Sequence, residues 1–427
     1  MNRRDFLKSG PVLVPGSALG LNGAVAPSDR IVVGHIGVGG MGSNHVRAFV
    51  QHAEVQTIAI CDVRRQHREA AKNVVDSRYG KTDCALYNDF RELIARRDID
   101  AIVMACPDYW HALVGLEAVR ARKDIYYEKP MSMSIAENQA MRTAVNQYGV
   151  VFQFGTQQRS DNGYRFACEL VRNGRLGKLQ NIFIGTATAP VSPNMPAEPV
   201  PDGLDYDLWL GPSPWAPYNF RRCTRDWTHI RDYSLGCLSG AWGIHDVDIA
   251  QWALDADQSG PVEVTANGVF STTGLFDTAR EFDAVLTYAN GVQLHLMDMP
   301  TAIGKRKQFR LQWMCMMFEG SAGWLLVSRN GMHAEPKSLL REVIGPDEIR
   351  LPRSSDHRRN FLDAVKTRSK PIAPIEAAVR SDAVCHLADI SMRLGRKLRW
   401  DPQSESFPGE ETANRLRSRT LRSPWRL

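Results

Sequence analysis

No stretch of this chain reaches the ~20 consecutive apolar residues that a helix needs to cross a bilayer. There is no large excess of one charge either. Fifty-three Lys and Arg against 47 Asp and Glu leave +6 over 427 residues, too mild and too dispersed to mark a nucleic-acid surface. The eight cysteines form no CxxC pair and no Cys/His cluster at zinc spacing, so no metal is expected. Several lie inside apolar runs, such as Cys61 in TIAICD and Cys106 in AIVMACP, where a buried thiol is the plain reading and a structural disulfide is not implied. What remains is ordinary for a folded chain: 43% hydrophobic and 23% charged residues, with 33 Gly and 23 Pro. That excludes collagen-like, coiled-coil, disordered and disulfide-scaffold classes. At roughly 150 residues per domain, two or three domains are expected.

Residues 1–26 read as an address. Arg3 and Arg4 precede Phe6, Leu7 and Lys8, then a weakly apolar run and Ala24-Val25-Ala26. This resembles a twin-arginine signal with a cleavage point after Ala26, the alternative being a basic N-terminal arm. Arg3, Arg4 and Lys8 against Asp5 carry +2, so its removal would leave +4. The expectation is export by the twin-arginine machinery, into the periplasm, of a protein already folded and loaded in the cytoplasm. At the other end, residues 415–426 are basic and read as a solvated tail.

Residues 30–36 (RIVVGHI) are a β-branched run suited to a buried parallel strand. They lead directly into Gly37-Val38-Gly39-Gly40-Met41-Gly42 and a helical stretch over 43–52. Strand, GxGxxG and helix together predict a dinucleotide site. Gly37 permits a tight turn, Gly39 lets the backbone approach a pyrophosphate, and Gly42 allows close packing, with Gly40 and Met41 on the same turn. The next strand, VQTIAIC, ends at Asp62, 20 positions after Gly42, where an acid hydrogen-bonds the ribose hydroxyls of NAD. Arg64 and Arg65 follow and keep NADP open.

The α/β alternation continues, with helices expected over 89–97, from His111 to Arg122 and over 135–148, and strands over 99–105, 124–127 and 150–154. The strand ends bring Cys106, Pro107, His111, Glu128, Lys129 and Gln157 to the ligand crevice of an open parallel sheet. After about residue 179 the pattern changes to period-two runs (AVLTY, VQLHLMDM), the mark of antiparallel strands. A Pro-, Trp- and Tyr-rich loop over 189–233 separates them. Its Trp209 and Trp215 suit a sugar-lining role or loop packing equally. Residues 240–254 read as a helix with His245 and Asp248 one turn apart.

CPDYWHA, EKP and GTQQR after three successive strands resemble the glucose–fructose oxidoreductase/inositol dehydrogenase (Gfo/Idh/MocA) family. So do DLWLGPSPWAPY over 207–218, GAWGIHDVDIAQWAL over 240–254 and DHRRNFLDAVKTRSKPIAPIEAAVRS over 356–381. The resemblance covers nearly the whole chain after residue 26. It implies an N-terminal Rossmann dinucleotide-binding domain (30–155) and a C-terminal α/β domain on a large, mostly antiparallel sheet (156–400), with last helices packing back on the first domain and a tail over 401–427. It also implies self-association into a homo-oligomer.

The resemblance assigns catalytic roles to Lys129 of EKP and His245 of GxHxxD. A lysine beside a positively charged nicotinamide should have a lowered pKa and work in proton transfer, and the histidine would serve as general base. Glu128 goes to the cofactor side on the same ground. Arg159, Trp242, Asp248 and Tyr233 are candidate substrate contacts. One departure stands out: many members carry an aspartate four residues before the histidine, and this chain has Ala241. Asp232 or Asp246 would have to substitute, or the relay is shorter, or the reaction differs.

The expected activity is NAD(P)-dependent oxidation of a secondary alcohol in a sugar or polyol, with tightly bound cofactor. A hydrolase or lyase that oxidises C3 of a glycoside transiently is the second reading, since export favours a recycled cofactor. A nucleotide-loaded binding protein is the third.

Overall fold

The computed structural model describes residues 26–427, and the twin-arginine motif at Arg3 and Arg4 lies outside them. The first half is a six-stranded parallel sheet: β1 (Ile31–Ile36), β2 (Val55–Cys61), β3 (Ala85–Tyr87), β4 (Ala101–Met104), β5 (Asp124–Tyr127) and β6 (Phe152–Phe154), in the order β3-β2-β1-β4-β5-β6. Its helices are α1 (Gly40–Phe49), α2 (Arg65–Tyr79), α3 (Phe90–Ile94), α4 (His111–Arg120) and α5 (Ile135–Tyr148). β1 is nearly wholly buried, which is why its run of β-branched residues does not alternate. The order reverses between β1 and β4, and there the C-terminal strand ends open a crevice. Local signals set the helix bounds. Asp89 accepts the Arg91 amide at the start of α3, Ser134 accepts that of Glu137 at the start of α5, and Gly149 closes α5 at φ 64°.

The second half carries an eight-stranded sheet: β7 (Leu179–Thr186), β8 (Glu263–Phe270), β9 (Ala279–Thr287), β10 (Gln293–Asp298), β11 (Cys315–Gly320), β12 (Gly323–Ser328), β13 (Gly331–Glu335) and β14 (Leu398–Arg399). The order is β13-β12-β11-β7-β10-β9-β8-β14, and only β7 and β10 pair in parallel. Its helices are α6 (Asn162–Arg172), α7 (Tyr206–Leu210), α8 (Ile244–Ala253), α9 (Met299–Lys305), α10 (His357–Thr367), α11 (Ile375–Leu394) and α12 (Glu411–Arg415). α8 begins four residues later than the expected 240, because residues 240–243 form a turn. Phe361 and Leu362 of α10 pack on Ile31 and Val33 of β1 and Phe49 of α1, so a late helix does return to the first half.

The long connection between β7 and α8 clips the two halves together. The Arg65 amide donates to Gly203 O (2.8 Å), the Asp205 amide to Val63 O (3.1 Å), and Asn88 Nδ2 to the Asp205 carboxylate (2.7 Å). Tyr109 donates its hydroxyl to Trp209 O at 2.6 Å. The reading of 415–426 as a solvated tail is corrected. Arg419 donates to Glu137 (2.8 Å), Arg422 to Asp207 (2.6 Å), and Trp425 packs edge-on against Trp110 with centroids 4.7 Å apart. The segment is held because its arginines find acids and its tryptophan finds apolar surface. Among the described residues no cysteine is paired and no helix is long and apolar enough to cross a membrane.

Candidate functional site

A cleft of about 710 Å³ opens at the C-terminal ends of the first sheet and is roofed by the β7–α8 connection. Gly37 turns at φ +75°, and a Cβ there would lie 2.6 Å from the Cys106 amide nitrogen. At Gly42 a Cβ would lie 1.9 Å from Gly37 O, so this glycine lets the helix close on the turn itself. Gly39, Gly40 and Met41 line the cleft, and Gly39 offers no side-chain cap, so the first amides of α1 keep their donors for a ligand. Asp62 also lines it. Its carboxylate accepts the Val38 and Arg64 amides, both at 2.9 Å, which fastens the end of β2 to the glycine turn. Arg64 lines the cleft and reaches Cys223 O at 3.3 Å, whereas Arg65 faces an outer depression.

Cys106 and Pro107 line the cleft, but His111 does not. Its Nδ1 lies 2.6 Å from Pro130 O and its Nε2 2.8 Å from Cys106 O, so it ties the β4 and β5 loops together. Burial lowers its pKa. His111 is thereby corrected from a cofactor contact to a brace. Gln157 is corrected likewise: its amide donates to Glu128 Oε1 (2.8 Å) and the Tyr126 hydroxyl (3.3 Å), behind the wall.

The cleft ends at Glu128 and Lys129. Glu128 also meets His45 Nε2 at 2.8 Å and the Lys129 amide at 3.2 Å. Burial alone would raise its pKa, but the His45 hydrogen bond and the charges of His45 and Lys129 prevail and hold it at about 2. Lys129 Nζ donates to Gly240 O at 2.7 Å. This contact joins the two halves, and Ala241 beside it lines the cleft.

His245 is buried at the start of α8, and neither it nor Trp242 lines the cleft, which Gly240 and Ala241 reach. Burial first, then Lys129 and Arg329, push its pKa well below 6.5, opposed by Glu128. Its Nδ1 has no hydrogen-bond partner among the described residues. Trp242 packs beside it with ring centroids 5.5 Å apart, donates Nε1 to Asp246 at 2.9 Å, and carries the Arg329 guanidinium at 4.7 Å over its ring.

Three expected substrate contacts are corrected. Arg159, 1% exposed, pairs through Nε and Nη2 with Asp248 (2.7 and 2.8 Å) and through Nη1 and Nη2 with Asp257 (2.9 and 2.7 Å). Asp248 further accepts the Ser381 hydroxyl at 2.9 Å, so both residues form a buried brace with no group left for a ligand. Tyr233 is fully buried, takes a hydrogen bond from Arg222 (3.0 Å), and is pushed up to about 12 by burial. Trp209 lines the cleft while Trp215 is 69% exposed away from it. Neither Asp232 nor Asp246 lines the cleft, but Asp108 does, a residue not singled out from the sequence. Its place directly after a strand and Pro107 was the available signal.

Among the described residues no group of His, Cys, Asp and Glu could hold a metal. The glycine turn does suit a dinucleotide, because Gly37, Gly39, Gly40 and Met41 line the cleft and the first amides of α1 meet no side-chain cap there. Cradle, acid and strand order define a two-domain nucleotide-binding α/β protein. Residues 31–156 match the NAD-binding Rossmann fold of an oxidoreductase family, and residues 189–427 match that family's C-terminal alpha/beta domain. The chain belongs to the Gfo/Idh/MocA oxidoreductase family.

The chain is 30% identical over 268 residues to the uncharacterized oxidoreductase YrbE of Bacillus subtilis, covering 61% of this chain and 65% of that one. It is 28% identical over 149 residues to inositol 2-dehydrogenase of Salmonella typhimurium (34% of this chain, 42% of that one). It is 32% identical over 127 residues to an alpha-N-acetylgalactosaminidase of Shewanella oneidensis (29% and 28%). The matches thus span less than two thirds of each of these relatives. The solved WlbA dehydrogenase of Bordetella pertussis, in complex with NADH and UDP-GlcNAcA, shares the fold with TM-score 0.62 at 16% identity, over 87% of this chain and 99% of that one.

Proposed function

We propose that this protein oxidises or reduces a secondary alcohol of a sugar or polyol with a tightly held nicotinamide dinucleotide, NAD or NADP. The observation that carries this reading is Lys129, fixed on Gly240 O at the end of the cleft that begins at the glycine turn. Gly37, Gly39, Gly40, Met41 and Gly42 would hold the pyrophosphate, Asp62 the ribose hydroxyls, and Cys106, Pro107 and Glu128 the far end. Arg64 leaves a 2′-phosphate open. Bound there, the nicotinamide supplies the hydride acceptor or donor. Lys129 Nζ orients the reacting hydroxyl, and a ring nitrogen of His245, kept neutral by burial, takes its proton. Trp242, packed beside His245, would hold that ring in place.

The clips at Gly203, Asp205 and Trp209 support tight retention, since the roof they anchor must open for the nucleotide to leave. Retention in turn suits an exported, periplasmic enzyme, as Arg3 and Arg4 imply, because free nucleotide is scarce there. A second reading, a glycosidase that oxidises and re-reduces its sugar transiently, is favoured by the match to the Shewanella alpha-N-acetylgalactosaminidase.

Denaturing the purified protein and weighing the released nucleotide tests retention. Incubating the undenatured protein with sugars, polyols and glycosides while following reduced nicotinamide tests chemistry. Reduction by one alcohol class supports the first reading, and glycoside cleavage without net reduction supports the second. A protein that neither carries nor takes up nucleotide defeats both. Lys129→Ala should reduce turnover about 10²–10⁴-fold and leave the nucleotide bound.

A further inference from the structure

One acidic group in the cleft has no task in this reading. Asp108 lines the cleft yet is only 3% exposed. Its Oδ2 accepts the Ser234 hydroxyl at 2.7 Å and presses on Gly240 so closely that a Cβ there would lie 2.1 Å from it. The same Gly240 accepts Lys129 Nζ through its carbonyl at 2.7 Å. Carboxyl and amine therefore both abut Gly240, one at its Cα and the other at its carbonyl, without pairing directly. Ala241, next along, offers the cleft only a methyl group.

The charged groups that bear on Asp108 come from two elements. Lys129, on the loop after β5, favours the carboxylate, and Asp382 of α11 opposes it. Asp382 is itself held by the Met131 amide (3.3 Å), Asn138 (2.9 Å) and His386 (3.0 Å). Cys106, two residues away, stays a thiol because burial pushes its pKa up. Burial of Asp108 itself is the largest influence, and raises it to about 7. An exposed aspartate is fully ionised at neutral pH, whereas this one can hold or release a proton there.

We propose that Asp108 is the proton-exchange partner of Lys129. Both side chains line the cleft, so a water there relays the proton: one N–H bond of Lys129 breaks as the water takes the proton, and one O–H bond of that water breaks as an O–H bond forms on the Asp108 carboxyl, with no change in oxidation state. Asp108 thus acts through Lys129 as a positioning residue, and the proposal rests on the reading of Lys129 as the group that faces the reacting hydroxyl.

The test is made on the full chain with ¹³Cγ-labelled aspartate, where the difference between wild-type and Asp108→Asn spectra isolates the carboxyl. It should titrate close to pH 7, and Lys129→Met should move that titration upward by removing the cation that favours ionisation. A carboxyl that titrates in the ordinary aspartate range, or one indifferent to Lys129→Met, overturns the proposal. In turnover, Asp108→Asn should lower kcat about 100-fold and flatten the pH profile near neutrality, with KM and nucleotide content little changed and Asp108→Glu restoring part of the rate. An unaltered kcat and pH profile overturns it as well. If the wild type turns over no alcohol, the reading of the function fails, while the two titrations still decide whether Asp108 and Lys129 share a proton.

Discussion

The two ends of the cleft are made of different material. At the glycine turn the walls are backbone, and the requirement is an absence: no Cβ at Gly37 or Gly42. At the far end the walls are charged side chains of the first half, the buried Glu128 and Asp108 and the half-buried Lys129, set against the Gly240 backbone of the second, with His245 behind. A backbone cradle is indifferent to pH and to neighbouring side-chain chemistry but is lost to one methyl group. A buried charged end is tuned by desolvation, so it answers to pH and tolerates change of shape better than change of charge. Cofactor binding and proton handling should therefore fail separately.

The strongest break in that comparison lies behind the charged end. Arg159→Ala leaves Asp248 buried without its bidentate partner, and the fold should lose about 3–5 kcal/mol in urea denaturation. Replacing both, as Arg159→Met with Asp248→Leu, should recover most of that loss. A single variant within 1 kcal/mol of wild type would show that the brace is unimportant.

Next in size come two carboxyls with opposite slopes. Asp108 is raised from 3.8 to about 7, so the stability it lends is complete below about pH 4 and disappears as pH rises through 7. Glu128 is lowered from 4.5 to about 2, so its contribution is complete above about pH 4.5 and disappears as pH falls through 2. Relative to wild type, Asp108→Asn should gain up to roughly 4 kcal/mol between pH 4 and 8, and Glu128→Gln should lose up to roughly 3 kcal/mol between pH 2 and 5. Parallel stability–pH curves for the two variants would erase the distinction.

At the other end, Gly37→Ala forces φ +75° on an alanine and a methyl onto the Cys106 amide. Nucleotide affinity should fall about 10–100-fold, equivalent to 1–3 kcal/mol of strain, with the pH titration of Asp108 unmoved. Equilibrium dialysis with NAD and NADP measures the first effect.

The glycine turn was legible because backbone requirements leave sequence signatures: Gly37, Gly39, Gly42 and Asp62 sit where spacing alone places them. The parallel-then-antiparallel change was legible for the same reason, through runs that alternate or do not. Side-chain partnership leaves no such mark. Arg159 and Asp248 carry the residue types of a substrate site, yet they satisfy each other, because Asp257 and Ser381 come from distant segments that no local pattern links. His111 and Gln157 stand at the strand ends as expected but turn to backbone and to Glu128. Asp108 was overlooked because its character comes from burial under Ser234 and Gly240, residues more than 120 positions away.

The smallest effect concerns the closing strap. Trp425 stands edge-on to Trp110 (4.7 Å) and near Phe90 (6.4 Å), with Arg91 stacked 5.2 Å from its ring. Phe90 and Trp110 line the cleft, so the last residues of the chain support that wall from behind. Trp425→Ala should cost about 1–2 kcal/mol, visible as a drop of a few degrees in Tm. It removes support but neither a cradle glycine nor a buried charge, so nucleotide should still bind and simply leave faster. Retention over repeated desalting reads this directly. Loss of nucleotide with an unchanged association rate fits a wall that opens more often. Unchanged retention and Tm would mean that the wall stands without the strap, and that the basic C-terminal segment has no part in closing the cleft.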